Sequence, residues 1–551
     1  MRPKHDIALR TLGAMLERNA AEDPERPFLI DEAGTLSRAE TALLARRLAG
    51  AFGRLGIAKG ETVAIMLENR RELLASWFGL AYRGAVEVPI SPASVGEHLI
   101  HTLNHPRCET AVVQSDCLPR IEEVAGRLEW LKRLVVVGDA TAKRLQTVPW
   151  SALQADGAEA GPAEVGYSDP VAVLYTSGAT GPAKGVVVSQ GHHYTNGYQP
   201  TALFDLDPSD TIYVCLPLHH NMAQGYGVWP AIVSGAALRL AKRFDAEAFW
   251  PDVRAHGATA FPFVGAMLVL LAKRAEQTND GENPLRLGFG VPIPAALHEP
   301  FEERFDLRLV HCYGSTEATI VTWQREDDRV VGSVGRALPG YDVDVLDADD
   351  QPLPAGQLGQ ICTRPHDAYS MFSGYFRDPD RTARAFRNLW FHTGDRGWLD
   401  EAGNLWFSDR LDDVIRRLGE TVSSWEVEQA VLAHPAVQLA AAFGVPSELV
   451  EEEVMVAAVV RDGFQLSAAD LRTWCAARLP RYATPRFIEL VSSLPMTSTG
   501  KIEKFKLRER GVSDATDDGR AGTADPAAGA PRAAPAGDPT DGGRSTADGG
   551  G

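Results

Sequence analysis

Tyr-Thr-Ser-Gly-Ala-Thr-Gly-Pro-Ala-Lys-Gly, residues 175–185, sets small hydroxyls, glycines and one lysine between two apolar runs, Val-Ala-Val-Leu (171–174) and Val-Val-Val-Ser (186–189). β-Branched flanks with glycine punctuation predict strand, loop, strand. Gly178, Gly181 and Gly185 lack the Cβ atoms that keep backbone N–H groups away from an anion. Thr176, Ser177 and Thr180 add hydroxyl donors, and Lys184 adds the charge, so the composition suits a phosphate grip. The commoner nucleotide loop needs Gly directly before its lysine and Ser or Thr directly after it. Here Ala183 and Gly185 stand in those places, and a plain surface hairpin has the same composition.

Outward from the loop towards the N-terminus, helix-like and strand-like stretches alternate. A helix near 38–56 leads to Thr-Val-Ala-Ile-Met-Leu (62–67), an apolar helix near 72–83 to Gly-Ala-Val-Glu-Val-Pro-Ile (84–90), and a further strand is expected at Arg-Leu-Val-Val-Val (133–137). Towards the C-terminus the alternation continues. Thr-Ile-Tyr-Val-Cys-Leu-Pro-Leu-His-His-Asn (211–221) reads as a strand ending in polar residues, and Ala-Thr-Ala-Phe-Pro-Phe (258–263) as another. Arg-Leu-Gly-Phe-Gly-Val-Pro-Ile-Pro (286–294) is a short strand that turns sharply, and Arg-Leu-Val-His-Cys-Tyr-Gly-Ser-Thr-Glu (308–317) ends in polar groups. Such alternation implies βαβ units and a largely parallel sheet, whose ligands lie beyond the carboxyl ends of the strands. From about 330 the texture changes to short strands punctuated by Gly, Pro and Asp, the pattern of a small antiparallel barrel. Asp-Ala-Asp-Asp-Gln-Pro (347–352) lacks the glycine and closing glutamate of a calcium loop and reads as a hairpin turn.

With 551 residues, 44% of them hydrophobic, the chain can bury a large core, and a net charge of −18 leaves no basic footprint for nucleic acid. Cys108, Cys117, Cys215, Cys312, Cys362 and Cys475 are scattered without zinc spacing or a disulfide frame, which fits reduced cytosol. No run reaches the roughly 18 apolar residues of a membrane span. The N-terminal stretch is amphipathic rather than signal-like, and a cytoplasmic location is expected.

Taken in order, the glycine loop, Cys-Tyr-Gly-Ser-Thr-Glu (312–317), His-Thr-Gly-Asp (392–395), Ser-Asp-Arg-Leu-Asp-Asp-Val-Ile (408–415) and Thr-Ser-Thr-Gly-Lys-Ile (497–502) resemble the AMP-forming adenylating superfamily of acyl-CoA synthetases, peptide-synthetase adenylation domains and luciferases. The match covers roughly residues 8–510, and 416–428 resemble the carnitine-CoA and fatty-acyl-CoA ligase branch. The resemblance implies an α/β fold. A large N-terminal adenylating domain, residues 1–410, would hold two parallel-rich αβ subdomains and a small β-barrel; a small mobile α+β domain, 411–510, and a disordered tail, 511–551, would follow.

The implied reaction joins an acid to ATP as an acyl-adenylate and then to a thiol, usually that of CoA. Thr176, Ser177, Gly178, Ala179, Thr180 and Lys184 would hold the β- and γ-phosphates, Thr316 the α-phosphate, and Glu317 a Mg²⁺ ion. Cys312, Tyr313 and Gly314, with the turn at Gly290-Val291, would flank adenine; Asp395, helped by Arg410, would take the ribose hydroxyls. Lys501, Thr180, Lys184 and His220 would form the catalytic set. His219, His220, Asn221, Gln224, Phe263, Val291 and Gly314 would line the acyl pocket, Asp412 would be the hinge, and Gly419 would face the CoA channel.

Several of these pocket residues are polar, and Val291 replaces a smaller alanine, which favours a small polar or aromatic acid over a long fatty chain. Two alternatives stay open. One is an AMP-forming ligase without CoA, activating nitrite for diazotisation of an aromatic amine or loading a carrier protein. The other is a non-catalytic nucleotide-binding protein on the same scaffold. The oligomeric state is not specified by the sequence.

Overall fold

The computed structural model describes residues 5–519 apart from 155–156, 158, 177–182, 326–327, 411–413, 418–419, 447–451, 480–482 and 497–501. Two large sheets dominate it. In a seven-stranded sheet, Gln146–Pro149, Arg133–Val137, Thr110–Gln114, Thr62–Met66, Val86–Pro89 and Pro170–Thr176 run parallel, and Lys184–Ser189 closes one edge antiparallel. Its central strands read as continuous apolar runs because both faces are covered. Val63 and Ile65 pack into one core, Ala64 and Met66 into another on the opposite face.

The nine-stranded sheet has a parallel centre of Pro27–Asp31, Ala237–Leu240, Thr211–Val214, Ala260–Val264, Leu287–Val291 and Arg308–Ser315, with antiparallel strands added at its ends. One hydrophobic core runs from sheet to sheet. It joins Val63 and Val171 of the first to Ile212, Phe261 and Phe289 of the second, with Trp77, Tyr194 and Trp229 from helices. Local signals agree with this packing: helix Arg38–Arg54 opens on a capping box, in which the Ser37 hydroxyl accepts from the Glu40 N–H at 3.2 Å and the Glu40 carboxylate accepts from the Ser37 N–H at 2.7 Å.

The region expected as a small barrel is a five-stranded antiparallel sheet in which Gly359–Pro365 lies between Tyr341–Leu346 and Trp390–Leu399, and Leu405–Arg410 also pairs with the last of these. The Asp-rich stretch is the expected hairpin turn, with the Asp347 carboxylate accepting from the Asp349 and Gln351 N–H groups at 2.9 Å each. The C-terminal unit carries the hairpin Val414–Arg417/Glu420–Ser423 and a four-stranded mixed sheet. Helices Ser424–Leu432 and Lys504–Arg510 are tied together by Lys504, which pairs with Glu428 at 2.9 Å.

Two expectations change. The strand expected over 211–221 ends at Val214, since Pro217 cannot continue a ladder, and Asn221 and Gln224 lie instead at the start of the next helical segment. The expected disorder from 511 does not begin there. Asp517–Asp518 adds a strand to Phe487–Val491, and Arg486 pairs with Asp518 at 2.8 Å, so two ion-pairing aspartates supply what hydrophobic content does not. Among the described residues, no helix is long and apolar enough to cross a membrane.

Candidate active site

The strands that flank the glycine loop form an antiparallel pair whose last partners are Thr176 and Lys184. Ser177, Gly178, Ala179 and Thr180 lie outside the described residues. Both feet of the loop are held by one helix end. His101 donates from Nε2 to the Ala183 carbonyl at 2.9 Å, and His105 Nδ1 is hydrogen-bonded to the Tyr175 hydroxyl at 2.7 Å.

Segment 372–376 clamps the same hairpin through Val187 N–H to Gly374 O and Phe376 N–H to Gly185 O, at 3.0 and 2.7 Å. A Cβ on Gly185 would stand 2.8 Å from Val173 and 3.3 Å from Phe376, so only glycine allows this approach. Tyr375 then links two of the predicted phosphate-end groups. Its ring centroid lies 5.5 Å from Lys184 Nζ, and its hydroxyl donates to Glu317 Oε1 at 3.0 Å. Sequence reading missed Tyr375, His101 and His105. Their only signal was an aromatic and two histidines at unremarked positions.

The strand Arg308–Ser315 delivers Cys312, Tyr313 and Gly314, and the tight turn into Thr319–Trp323 carries Thr316 and Glu317. The Tyr313 hydroxyl donates to Asp395 Oδ2 at 2.7 Å, although the two residues are 82 apart in the chain. Asp395 is buried, and its own N–H donates to the Thr393 hydroxyl at 3.1 Å. Arg410 pairs with Asp395 through the backbone ladder of their two strands; its side chain lies outside the described residues. Burial pushes the Cys312 thiol up to about 12, so it stays protonated and acts as packing.

Gly290 sits on Leu287–Val291 directly beside Phe263, and a Cβ there would stand 2.1 Å from the Phe263 carbonyl oxygen. A Cβ on Gly314 would stand 2.0 Å from the Thr319 carbonyl oxygen. These glycines let neighbouring strands form a smooth wall of backbone. Val291 precedes Pro292 and is half-buried at the end of its strand.

The rings of His219 and His220 lie with centroids 4.3 Å apart, tilted by 50°, in the connection before the helix, and Asn221 and Gln224 are buried on its first turns. Burial, together with the neighbouring His98, pushes His219 down to about 4, so this imidazole is neutral near pH 7. Asn196 on helix Gln190–Leu203 donates from Nδ2 to Asn221 Oδ1 at 3.2 Å. The structure thus brings together Lys184 with Glu317, Tyr313 with Asp395, and Asn221 with Gln224.

Lys501, Asp412 and Gly419 lie outside the described residues. Next to Lys501 in the chain, Ile502 bridges Met496, and the Glu503 N–H donates to the Pro495 carbonyl at 2.9 Å. The charges of Glu503 and Lys506 reach His98 on helix Gly96–Asn104, which itself acts on His219.

A magnesium ion held by one carboxylate and by substrate phosphates needs no cage of protein ligands. Glu317, oriented by Tyr375 and next to Lys184, fits that donor set.

Comparison with known proteins agrees with this architecture. The profile of the family described as AMP-binding enzyme matches residues 16–376, and that of the AMP-binding enzyme C-terminal domain matches 426–501. A crotonobetaine/carnitine–CoA ligase of Salmonella paratyphi A is 32% identical over 470 residues, spanning 84% of this chain and 91% of that enzyme. ATP-bound MatB from Rhodopseudomonas palustris superposes with a TM-score of 0.81 at 25% identity, over 91% of this chain and 99% of that one. The anthranilate CoA ligase AuaEII in complex with anthranoyl-AMP shares the fold, with a TM-score of 0.82 at 24% identity over 91% and 97% of the two chains. The chain belongs to the AMP-binding enzyme family.

Proposed function

We propose that the protein activates a small polar or aromatic carboxylic acid with ATP and passes the acyl group to the thiol of CoA. In the first half-reaction a carboxylate oxygen attacks the α-phosphorus and the bond to pyrophosphate breaks. In the second the thiol sulfur attacks the acyl carbonyl, loses its proton, and AMP leaves with the oxygen it gained.

One observation carries the reading: on a single strand and the turn that ends it, Tyr313 reaches Asp395 and Glu317 reaches Tyr375 beneath Lys184. Two anions have to meet in such a reaction, so catalysis rests on positioning and charge neutralisation. Lys184, with Thr176, Ser177, Gly178, Ala179 and Thr180, is assigned to the departing pyrophosphate, and Thr316 to the α-phosphate. Glu317 is assigned to Mg²⁺, which when bound would neutralise phosphate charge. Asp395 and Arg410 would take the ribose, and Tyr313, Gly290 and Val291 the adenine. Lys501 would bridge the attacking carboxylate and the α-phosphate, His220 would border the carboxylate, Asp412 would be the pivot and Gly419 would face the pantetheine.

A long alkyl chain would have to cover the buried amides of Asn221 and Gln224 without satisfying them, which costs roughly 1–3 kcal/mol per group and supports a short or polar acid. The relatives named for crotonobetaine, carnitine and anthranilate all act on such acids. The test is pyrophosphate exchange and CoA-dependent AMP release across short, aromatic and long-chain acids. Best activity with long-chain acids would overturn the substrate class. AMP release with nitrite and an aminobenzoate, but not with any acid plus CoA, would overturn the acceptor.

A further inference from the structure

Helix Gly96–Asn104 ends in a turn in which the Arg107 N–H donates to the Asn104 carbonyl at 2.9 Å, and segment 372–376 runs directly into Arg377. The two arginines line one surface depression of about 540 Å³. Both hold left-handed backbone, with φ of 59° at Arg107 and 53° at Arg377. Glycine and asparagine occupy that region most readily, and a long charged side chain held there against strain points to a function of the side chain. The Arg107 guanidinium lies 4.7 Å from the Trp130 ring centroid. A ring on the face of a guanidinium leaves its N–H groups, which lie in the plane, for another partner.

The acids closest to these arginines in the chain or in the lining are mostly taken by other cations. Glu97 accepts from Arg127 at 2.6 and 2.8 Å, Glu109 pairs with Lys132 at 2.8 Å, and Asp378 pairs with Arg381 at 3.1 Å. Glu129 is the other acid of the lining. Among the described residues neither Arg107 nor Arg377 has an ion-pair partner, and partial burial together with the Arg107 charge holds Arg377 below the usual guanidinium value. The depression is thus locally basic in a chain of net charge −18. It also adjoins the glycine loop. His101 and His105, the side chains bonded to Ala183 and Tyr175, belong to the same lining, and Phe376, next to Arg377, donates its N–H to Gly185.

Two guanidiniums that line one open space without a paired carboxylate complement a doubly charged oxyanion, and arginine binds phosphate through its forked N–H groups. We propose that Arg107 and Arg377 form a second anion site, outside the proposed active site, which takes the phosphate group of a small molecule. A bound phosphate neutralises both arginines at once and draws the helix end and segment 372–377 together. These are the two pieces that hold the hairpin of the glycine loop, so occupancy steadies the loop and lowers KM for ATP. Binding itself is independent of the function proposed above, whereas the effect on KM rests on the assignment of the glycine loop to the ATP phosphates. Free phosphate and a phosphate ester offer the same chemistry to the two arginines.

The experiment begins with binding. Inorganic phosphate and glycerol phosphate are titrated by calorimetry into the full-length protein at constant ionic strength set with chloride, and the tighter of the two identifies the source. Binding is expected to weaken roughly tenfold in Arg107→Gln and in Arg377→Gln, the scale of losing one charged hydrogen bond. It should tighten in Glu129→Gln, which removes the unpaired acid of the lining, and stay unchanged in Lys184→Gln. In CoA-dependent AMP release, the tighter ligand at saturation is expected to lower KM for ATP about fivefold in wild type and to leave it unmoved in Arg377→Gln. No binding, or binding that Lys184→Gln abolishes and the arginine variants keep, would overturn the site. A raised KM for CoA in Arg107→Gln with phosphate binding intact would give the depression to the acceptor and overturn it as well. Binding at the arginines with KM for ATP unmoved would overturn the regulatory role. AMP release with no acid of any kind would overturn the ligase reading and leave the binding result standing.

Discussion

The end proposed for the nucleotide and the end proposed for the acyl group are built on opposite plans. At the nucleotide end the polar side chains already hold one another, as Tyr313 holds Asp395 at 2.7 Å and Tyr375 holds Glu317 at 3.0 Å. At the acyl end Gln224 is fully buried with polar atoms that no other protein group satisfies well. A group held in place before binding loses little freedom when the ligand arrives, which suits a ligand that never changes. A group left unmet discriminates strongly, because only a complementary ligand removes its penalty.

The largest effect that could break this contrast is at Lys501. Lys501→Ala is expected to lower pyrophosphate exchange by more than about 100-fold, the scale of losing one transition-state charge contact, while KM for ATP stays within a few-fold. Wild-type-like exchange in this variant would remove the assignment. Asp395→Ala comes next. It discards a buried acceptor already placed by Tyr313, and a hydrogen bond to a charged group is worth about 1.5–3 kcal/mol, or roughly ten- to a hundredfold in KM for ATP. The order of preference among acids should not move; a changed order would show that the two ends are not separable.

The smallest effect lies away from both ends. Glu302, which burial alone would raise, is held down to about 2 by His298, by Arg329 at 2.7 Å and by the Leu309 N–H at 2.8 Å. A depressed carboxyl stabilises the fold fully above its ordinary value of 4.5, and that contribution is lost as pH falls from there towards 2. Glu302→Gln should therefore unfold more easily than wild type at pH 7 by about 1–2 kcal/mol, after allowance for solvent screening, and the gap should narrow to less than about half by pH 3, closing only below about 2. Thermal unfolding at the two pH values measures this. An unchanged gap at pH 3 would mean that shape, not charge, is what Glu302 contributes.

Most of the fold was legible because each element carried its own period. Thr62–Met66 and Arg133–Val137 read as buried parallel strands, and Arg38–Arg54 as the helix expected near 38–56. The misreading at 211–221 came from apolar residues, Cys215 and Leu216, that continue a strand-like run after the chain has left the sheet. The start of the tail was misjudged because ion pairs to Arg472 and Arg486, not apolar burial, hold residues 517–518; residues 520–551 lie outside the described residues. At the proposed site, motifs singled out Lys184, Tyr313, Glu317 and Asp395, since each stands in a run of glycines and hydroxyls. Tyr375 stands alone in an ordinary-looking segment, and its role comes from Glu317, 58 positions away. Pairings across that distance leave no local pattern to read.

The glycine wall at Gly290 and Gly314 limits how this protein can diversify. With carbonyl oxygens 2.1 and 2.0 Å from where a Cβ would sit, neither position can drift to another residue without moving a strand. In the pocket proposed above, mutations that reach new substrates would then enter through Val291, Asn221 and Gln224. On that reading the glycine wall is inherited unchanged, and innovation is confined to a few side chains on one helical segment and one strand.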